Sequence, residues 1–337
     1  MIKSPNIITF GLYWKLINGG MIMANITAKD VAELRKQTGV GMMDCKKALV
    51  EADGDFEKAT VILREKGLAT QAKKSGRVAA EGIVMAATND AHTVGAVVEV
   101  NIETDFAANN DDFKKFVTDV AQTIIEKNPA DIDALNAEQI SGGNVTVAEA
   151  LQELFLKIRE NMHIRRFKRM EGILVPYVHG GGKIGVLVNM ETPAGASDAV
   201  MACGKDCALQ VAALKAPYLK KEDVPAEVIE SEKSIMLVQM NDDPKMANKP
   251  ENVKAKIVEG KIGKYYSENC LLDQEFVKDG DLTVQKYIDK CAKEANTTIK
   301  LVDYVCFERG EGVEKKEDNF ADEVASMICL LYTSDAA

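Results

Sequence analysis

The sequence is poor in histidine and proline, and it contains no Cys-x-x-Cys pair. Its 3 histidines, His92, His163 and His179, lie in separate segments, so no metal site is predicted. With only 8 prolines, no repetitive tract and 46% hydrophobic residues, the composition excludes both a fibrous and an intrinsically disordered protein. At 337 residues, the chain is expected to form two or three compact units.

Positive charge is also in deficit, because 42 Lys and Arg face 52 Asp and Glu, a net charge of −10. Sequence-independent binding of nucleic acid depends on neutralising phosphates, so we expect no direct nucleic-acid partner. Seven cysteines cannot form a closed set of disulfides, and only Cys203 and Cys207 lie close together. A reduced, cytoplasmic protein with its thiols buried as small hydrophobes is the simplest interpretation.

The two ends of the chain do not fit the pattern of the rest. Residues 1–23 carry short apolar runs without the unbroken core or the cleavage pattern of a signal peptide, and we interpret them as an extension outside the fold. Residues 329–337 do not continue the helical pattern that precedes them. No membrane partner is expected.

Residues 24–68 carry three helical patterns and predict a miniature bundle. Thr27 and Asp30 form a capping-box-like start. The predicted helices run from Thr27 to Gly39, from about Met42 to Ala52, and from about Phe56 to a stop at Gly67. So small a bundle is typical of a docking module, and residues 69–80 predict a solvated linker after it.

Met42 and Met43 stand out at the start of the second helix, beside Gly41. Methionine suits an adaptable protein contact, and a helix start exposes at least one of the two. The alternative is that both side chains fill the small core of the bundle.

Two segments 90 residues apart repeat one pattern. Glu81–Met85 is echoed by Glu171–Val175, and Val94–Val98 by Ile184–Val188. Each copy predicts a β-hairpin with one covered face, followed by an amphipathic helix that covers it. The sequence therefore predicts an α+β core of two related antiparallel-sheet-plus-helix subdomains. These subdomains span residues 81–170 and 171–309, with an inserted helical hairpin at 224–267 and a C-terminal helical module at 310–328.

The copies differ at the corner that joins strand to helix. Asp105-Phe106 follows the first hairpin, whereas Pro193-Ala194 follows the second. If a phenylalanine were needed to close this corner, the second copy should need one too, so Asp105 and Phe106 are candidates for function. The alternative is that Phe106, which keeps the parity of Ile102, continues the buried face.

Two further groups are weaker candidates. Arg165-Arg166 suits a phosphate or an acidic partner, but a salt-bridged surface pair is more common. His179 precedes three glycines without the spacing of a phosphate-binding loop, which favours an ordinary β-turn. No nucleophile elbow, His-Glu-x-x-His or Walker motif occurs, so no catalytic residue and no cofactor is predicted.

Taken together, these positions resemble the bacterial elongation factor Ts family. The resemblance is carried by Ala32–Arg35, Thr38–Leu49, Glu103–Ala107, Asn161–Arg166, His179-Gly180, Ile184–Val188, Gly310–Gly312 and Phe320-Ala321. These segments keep the family's order from residue 24 to about residue 328. One departure is Ala107, where the family usually has valine.

The resemblance implies a guanine nucleotide exchange factor that binds elongation factor Tu and accelerates GDP release, and not an enzyme. It also implies a ubiquitin-associated-like N-terminal module, a two-subdomain core, an inserted coiled coil and a C-terminal helix. The partner-binding residues that it implies are Arg35, Met42, Met43, Asp105, Phe106 and His179.

Two other functions remain open on the sequence. One is a polypeptide- or ubiquitin-like-binding adaptor that uses the three-helix module, with a structural core. The other is a nucleotide-dependent enzyme that uses the loop after His179.

Overall fold

The computed structural model describes residues 26–243, 246 and 249–313, which divide into two units. Unit 1 comprises the described residues up to Lys74 together with Gln152–Arg159, and unit 2 comprises the rest. The described residues hold eleven α-helices and eight strands, so the α+β prediction is confirmed. The sequence-based expectations for residues 1–23 and 329–337, and for a C-terminal helix within 314–328, lie outside the described residues.

Unit 1 is built from three consecutive helices and the end of a fourth. They are α1 (Ala28–Thr38), α2 (Met42–Glu51), α3 (Phe56–Lys74) and, from Gln152 onward, α7 (Val147–Ile158). The Thr27 hydroxyl accepts from Asp30 N and the Asp30 carboxylate accepts from Thr27 N, a capping box that fixes the start of α1. The fully buried core residues of the unit are Leu34, Val40, Cys45, Leu49 and Ala59.

The third helix does not end at Gly67, as the sequence predicts, but continues to Lys74. A Cβ on Gly67 would lie 3.1 Å from Leu156 Cγ and closer still to Cδ2. The glycine therefore admits the α7 side chain and is not a helix stop. Half of the predicted linker, residues 69–74, is helical in consequence, and residues 75–80 lie outside regular structure.

Unit 2 contains two three-stranded antiparallel sheets with strand orders β1-β2-β3 and β4-β5-β8. The strands of the first sheet are β1 (Glu81–Thr88), β2 (Val94–Ile102) and β3 (Met162–Glu171). Those of the second are β4 (Ile173–His179), β5 (Ile184–Glu191) and β8 (Lys300–Glu308). A small third sheet pairs β6 (Glu275–Phe276) with β7 (Asp279–Thr283).

One helix covers the outer face of each large sheet. Helix α5 (Asp111–Lys127) packs on β1 and β2, and α8 (Asp198–Leu214) packs on β4 and β5. Asn110 caps α5 by accepting from Asp112 N at 2.8 Å. The buried face of α5 includes Phe113, Phe116, Val117, Val120 and Ile124, as the helical spacing predicts.

The inner faces of the two sheets pack against each other. This contact buries Val84 and Val97 of the first sheet against Leu174 and Leu187 of the second. The sequence predicts one covered face per sheet, but β2 is buried on both faces from Gly95 to Ile102. Alternation along one strand cannot reveal a second sheet that is distant in sequence.

The two sheets share a detail of side-chain bonding. Asn101 Nδ2 donates to the Glu81 carbonyl at 3.1 Å, and Asn189 Nδ2 donates to the Glu171 carbonyl at 3.1 Å. The asparagines are offset by two positions in the repeated strand pattern, yet each bonds the carbonyl of the first residue of its own copy's repeated segment.

The remaining helices of unit 2 connect or extend this core. They are α4 (Asp105–Ala108), α6 (Ile132–Ala137), α9 (Ala226–Asp242), α10 (Glu251–Asn269) and α11 (Val284–Glu294). Helices α9 and α10 form a hairpin with a core that includes Ile229, Met240 and Val258. Along the described part of the chain, no helix is long and apolar enough to cross a membrane.

Candidate functional site

The first corner, residues 103–108, presents Phe106 to solvent. Thr104 is the N-cap of the short helix α4, and its hydroxyl accepts from Ala107 N at 3.2 Å. Ala107 and Ala108 are buried, whereas Phe106 is 87% exposed. The two alanines fasten one side of the helix to the sheet and leave the ring on the other side, so Phe106 does not continue the buried face.

The Asp105 side chain is exposed beside this ring. Among the described residues its carboxylate makes no hydrogen bond or ion pair, although its carbonyl accepts from Asn109 Nδ2 at 3.0 Å. The backbone of the turn is therefore fixed, and the carboxylate is available to a donor from outside.

The second corner, residues 191–195, has a different conformation. Thr192 Oγ1 accepts from Ala194 N at 3.2 Å, and Gly195 adopts a left-handed φ of 63°. No helical turn forms before α8, and the small side chain of Ala194 stands where the first corner has the Phe106 ring. The two copies thus differ, as the sequence predicts, in the side chain that each corner exposes to solvent.

The sequence reasoning missed Glu160, which contacts the first corner. Glu160 Oε2 accepts from Thr104 N at 3.0 Å, and Oε1 accepts from Thr104 Oγ1 at 2.9 Å. The two residues are 56 positions apart, so no local pattern connects them. The two residues meet because the antiparallel register that pairs Ile102 with Met162 brings residue 160 close to residue 104, a pairing that the sequence does not predict.

In unit 1, the three candidate residues are all exposed and lie along one short stretch. Arg35 belongs to the last turn of α1, and Met42 and Met43 begin α2. Val40, between them, is completely buried, so the connection is anchored while both methionines remain in solvent, at 53% and 66% exposure. The alternative that the pair fills the core is wrong.

His179 ends β4 and lies exposed before a glycine turn. Tyr177 Oη lies 3.0 Å from His179 Nδ1, which orients the imidazole. The turn reaches β1, because Val84 N donates to Gly182 O at 2.9 Å and a Cβ on Gly182 would lie 2.8 Å from Ile83 Cγ2. The turn after His179 therefore lies near the start of β1. That end of β1 pairs with Ile102, the residue just before the first corner.

Arg165 and Arg166 serve the interior rather than a ligand. Arg165 Nη1 and Arg166 Nε contact the buried Glu99 carboxylate at 3.1 and 2.7 Å, and Gly310 N donates to the same carboxylate at 2.7 Å. Burial by itself would raise the pKa of Glu99, but hydrogen bonds from Gly310 N, Arg166 and Asn101 offset it and hold the pKa below its ordinary value. Arg165 and Arg166 are thus a salt-bridged pair, as the more common of the two alternatives predicts.

The described part of the chain contains no candidate metal site and no candidate site for thiol chemistry. It contains no group of three or more His, Cys, Asp or Glu side chains that could hold a metal ion. Cys45, Cys203, Cys207 and Cys270 are buried, as expected, whereas Cys291 and Cys306 are only partly buried. None of these six described cysteines forms a disulfide. Burial raises the pKa of Cys270 to about 11, which keeps that thiol protonated.

Comparison with known proteins identifies the family. The sequence model of the elongation factor Ts family matches residues 103–311, which include the first corner and His179. Elongation factor Ts of Clostridium kluyveri is 48% identical over 307 residues, covering 90% of this chain and 99% of that protein. Elongation factor Ts of Clostridioides difficile is 48% identical over 309 residues, covering 91% and 100%. The resemblance seen in the sequence is thereby confirmed, and the chain belongs to the elongation factor Ts family of translation elongation factors.

Proposed function

We propose that this chain binds elongation factor Tu and accelerates its release of GDP. The observation that carries the proposal is the first corner, which lies within the region that matches the family. There, an aromatic ring 87% exposed stands beside a carboxylate that has no partner among the described residues. An aromatic side chain exposed to this extent suits an anchor that a partner covers.

The corner suits an exchange mechanism in which no bond is made or broken. A GTPase holds its nucleotide through P-loop amides and a magnesium ion that bridges the phosphates. Inserting Phe106 beside the metal displaces the helices that carry its ligands, and Asp105 competes for hydrogen-bond donors there. Nucleotide binding then weakens without any contact to the base. The chain is a regulator in this reaction, not an enzyme.

The other candidate residues supply affinity for the same partner. In unit 1, Met42 and Met43 form an adaptable apolar anchor on the nucleotide-binding domain of the GTPase, and Arg35 adds a bidentate charge. His179 contacts that domain from the turn after β4. Unit 1 thus acts as a ubiquitin-associated-like docking module.

The rest of the proposed architecture follows the family. Residues 81–170 and 171–309 act as two related subdomains, and α9 and α10 form an inserted coiled coil. We place the protein in the cytoplasm, where elongation takes place.

The decisive experiment is release of a fluorescent GDP from elongation factor Tu, followed by stopped flow with and without the chain. We expect the release rate to rise and saturate with the chain's concentration. A control with an unrelated GTPase loaded with the same nucleotide should show no acceleration. An adaptor, or an enzyme that uses the loop after His179, would leave the rate unchanged and so refute the proposal.

A further inference from the structure

The first corner is braced by two carboxylates at the point where the backbone ladder stops. Strands β2 and β3 pair as far as Ile102 and Met162. Beyond this pair, Glu160 accepts from the Thr104 backbone and hydroxyl at 3.0 and 2.9 Å. In the reverse direction, Glu103 Oε1 accepts from Asn161 N at 2.5 Å.

A second layer anchors this brace to the segment before β1. Asn161 Nδ2 donates to the Arg77 carbonyl at 2.7 Å and to the Ser75 carbonyl at 3.3 Å. Arg77 in turn lies 3.4 Å from the Glu103 carboxylate. Glu103 therefore stabilises the fold through contacts with both Asn161 and Arg77. By contrast, all the hydrogen bonds shown for Glu160 go to Thr104.

Thr104 links Glu160 to the display of Phe106. Its hydroxyl donates to Glu160 and accepts from Ala107 N, so one oxygen atom closes the helical turn and fastens it to the segment just before β3. A helix of four residues is too short to persist without its caps and tertiary contacts. The orientation of the turn, and of the ring on it, therefore depends on how Thr104 is held.

We propose that Glu160 is a positioning residue for nucleotide exchange, which acts through Thr104 to fix the direction in which Phe106 projects. This inference rests on the proposed exchange function. Glu160 itself need not touch the partner, since the residue is half-buried and its carboxylate bonds Thr104. Because Glu160 fixes the turn in advance, less conformational entropy is lost when Phe106 inserts into the partner.

The second corner provides a matched control within the same molecule. Thr192 stands at the position equivalent to Thr104, but its hydroxyl lies 3.4 Å from Thr297 Oγ1 and contacts no carboxylate among the described residues. Thr192→Val therefore makes the same chemical change at a corner that displays no aromatic ring.

The test measures catalysed GDP release over a range of factor concentrations, which separates the maximal rate from the half-saturating concentration. Each of Glu160→Ala and Thr104→Val removes two hydrogen bonds at the corner. We expect each to lower the maximal rate at least about fivefold, the effect that a single net hydrogen bond would produce. Thr104→Ser, which keeps the hydroxyl, should restore the rate to near wild type. Thr192→Val should leave it unchanged. Equal rates for Thr104→Ser and Thr104→Val would overturn the inference, even if Glu160→Ala failed to fold.

A double variant distinguishes positioning from general stabilisation. If Glu160 acts through Phe106, Glu160→Ala combined with Phe106→Ala should release GDP no more slowly than Phe106→Ala alone. Additive losses, or a wild-type maximal rate for a folded Glu160→Ala variant, would overturn the inference. Failure of the proposed function itself is separately visible, because the wild-type chain would then not accelerate release at all.

Discussion

Gly67 of α3 lies directly against the side chain of Leu156 in α7. A Cβ on the glycine would lie 3.1 Å from Leu156 Cγ and closer to Cδ2, and Leu156 is buried in the core of unit 1. The end of α7 is therefore a fourth helical element of a unit that the local sequence predicts to have three.

Gly67→Ala should accordingly destabilise unit 1. Alanine favours a helix over glycine by about 1 kcal/mol, but overpacking a filled core costs about 1 to 3 kcal/mol. We expect a net loss of about 1 kcal/mol in the free energy of unfolding, measured by urea denaturation. Gly260→Ala in α10 is the control, because a Cβ there meets nothing within 4 Å. If Gly67→Ala were stabilised as much as this control, the packing argument would fail.

The paired substitution of Met42 and Met43 by alanine tests docking by unit 1. Both side chains are more than half exposed, so the thermal midpoint should stay nearly unchanged. Association with elongation factor Tu, measured by calorimetry, should weaken by more than about 1 kcal/mol, because apolar anchors dominate such interfaces. Val50→Ala is the control: it lies on the same helix and is 51% exposed, but it lies at the other end. Equal losses for both variants would contradict a specific contact.

Phe106→Ala is expected to slow catalysed GDP release at least about tenfold, some 1.4 kcal/mol of coupling. Because the ring is 87% exposed, the unfolding midpoint should not fall. The measurement is the maximal rate in stopped flow at saturating factor. The coupling is reciprocal, so GDP should compete less strongly with the variant for the GTPase than with the wild-type chain. An unchanged maximal rate would remove Phe106 from the mechanism.

His179→Ala should reduce exchange less than Phe106→Ala, by a fewfold. Tyr177→Phe removes only the hydroxyl 3.0 Å from His179 Nδ1, so it should have a smaller effect in the same direction. Both variants are compared by half-saturating concentration in the release assay. If His179→Ala bound and exchanged as well as wild type, the histidine would be an ordinary turn residue.

Glu99→Gln should destabilise unit 2 in a pH-dependent manner. At pH 7 the change leaves Arg165 and Arg166 facing a neutral amide, and we expect a loss of about 2 kcal/mol. The folded pKa of Glu99 lies below its ordinary value of 4.5, so its contribution is present above that pH and is lost as the pH falls through the folded pKa. Urea denaturation of both proteins should therefore show the difference shrinking below about pH 4.5. A difference independent of pH would show that the charge is not responsible.

The amino-acid sequence by itself determined the α+β class and most local element positions. The start of α1 at Thr27 and its end at Gly39, like the two hairpins, depend on caps, turn residues and strand alternation within a few positions. The comparison of two duplicated corners also selected Asp105 and Phe106 as candidates without any knowledge of contacts.

Only the tertiary structure decided which faces and groups are covered. Alternation and parity left Phe106 either buried or exposed, and they assigned β2 a single covered face. Gly67 was mistaken for a helix stop, and Glu160 gave no local signal. In each case the deciding partner lies far away in sequence: Leu156 is 89 positions from Gly67, and Glu160 is 56 from Thr104. Burial and hydrogen bonding depend on which distant elements pack together, and periodicity within one segment does not contain that information.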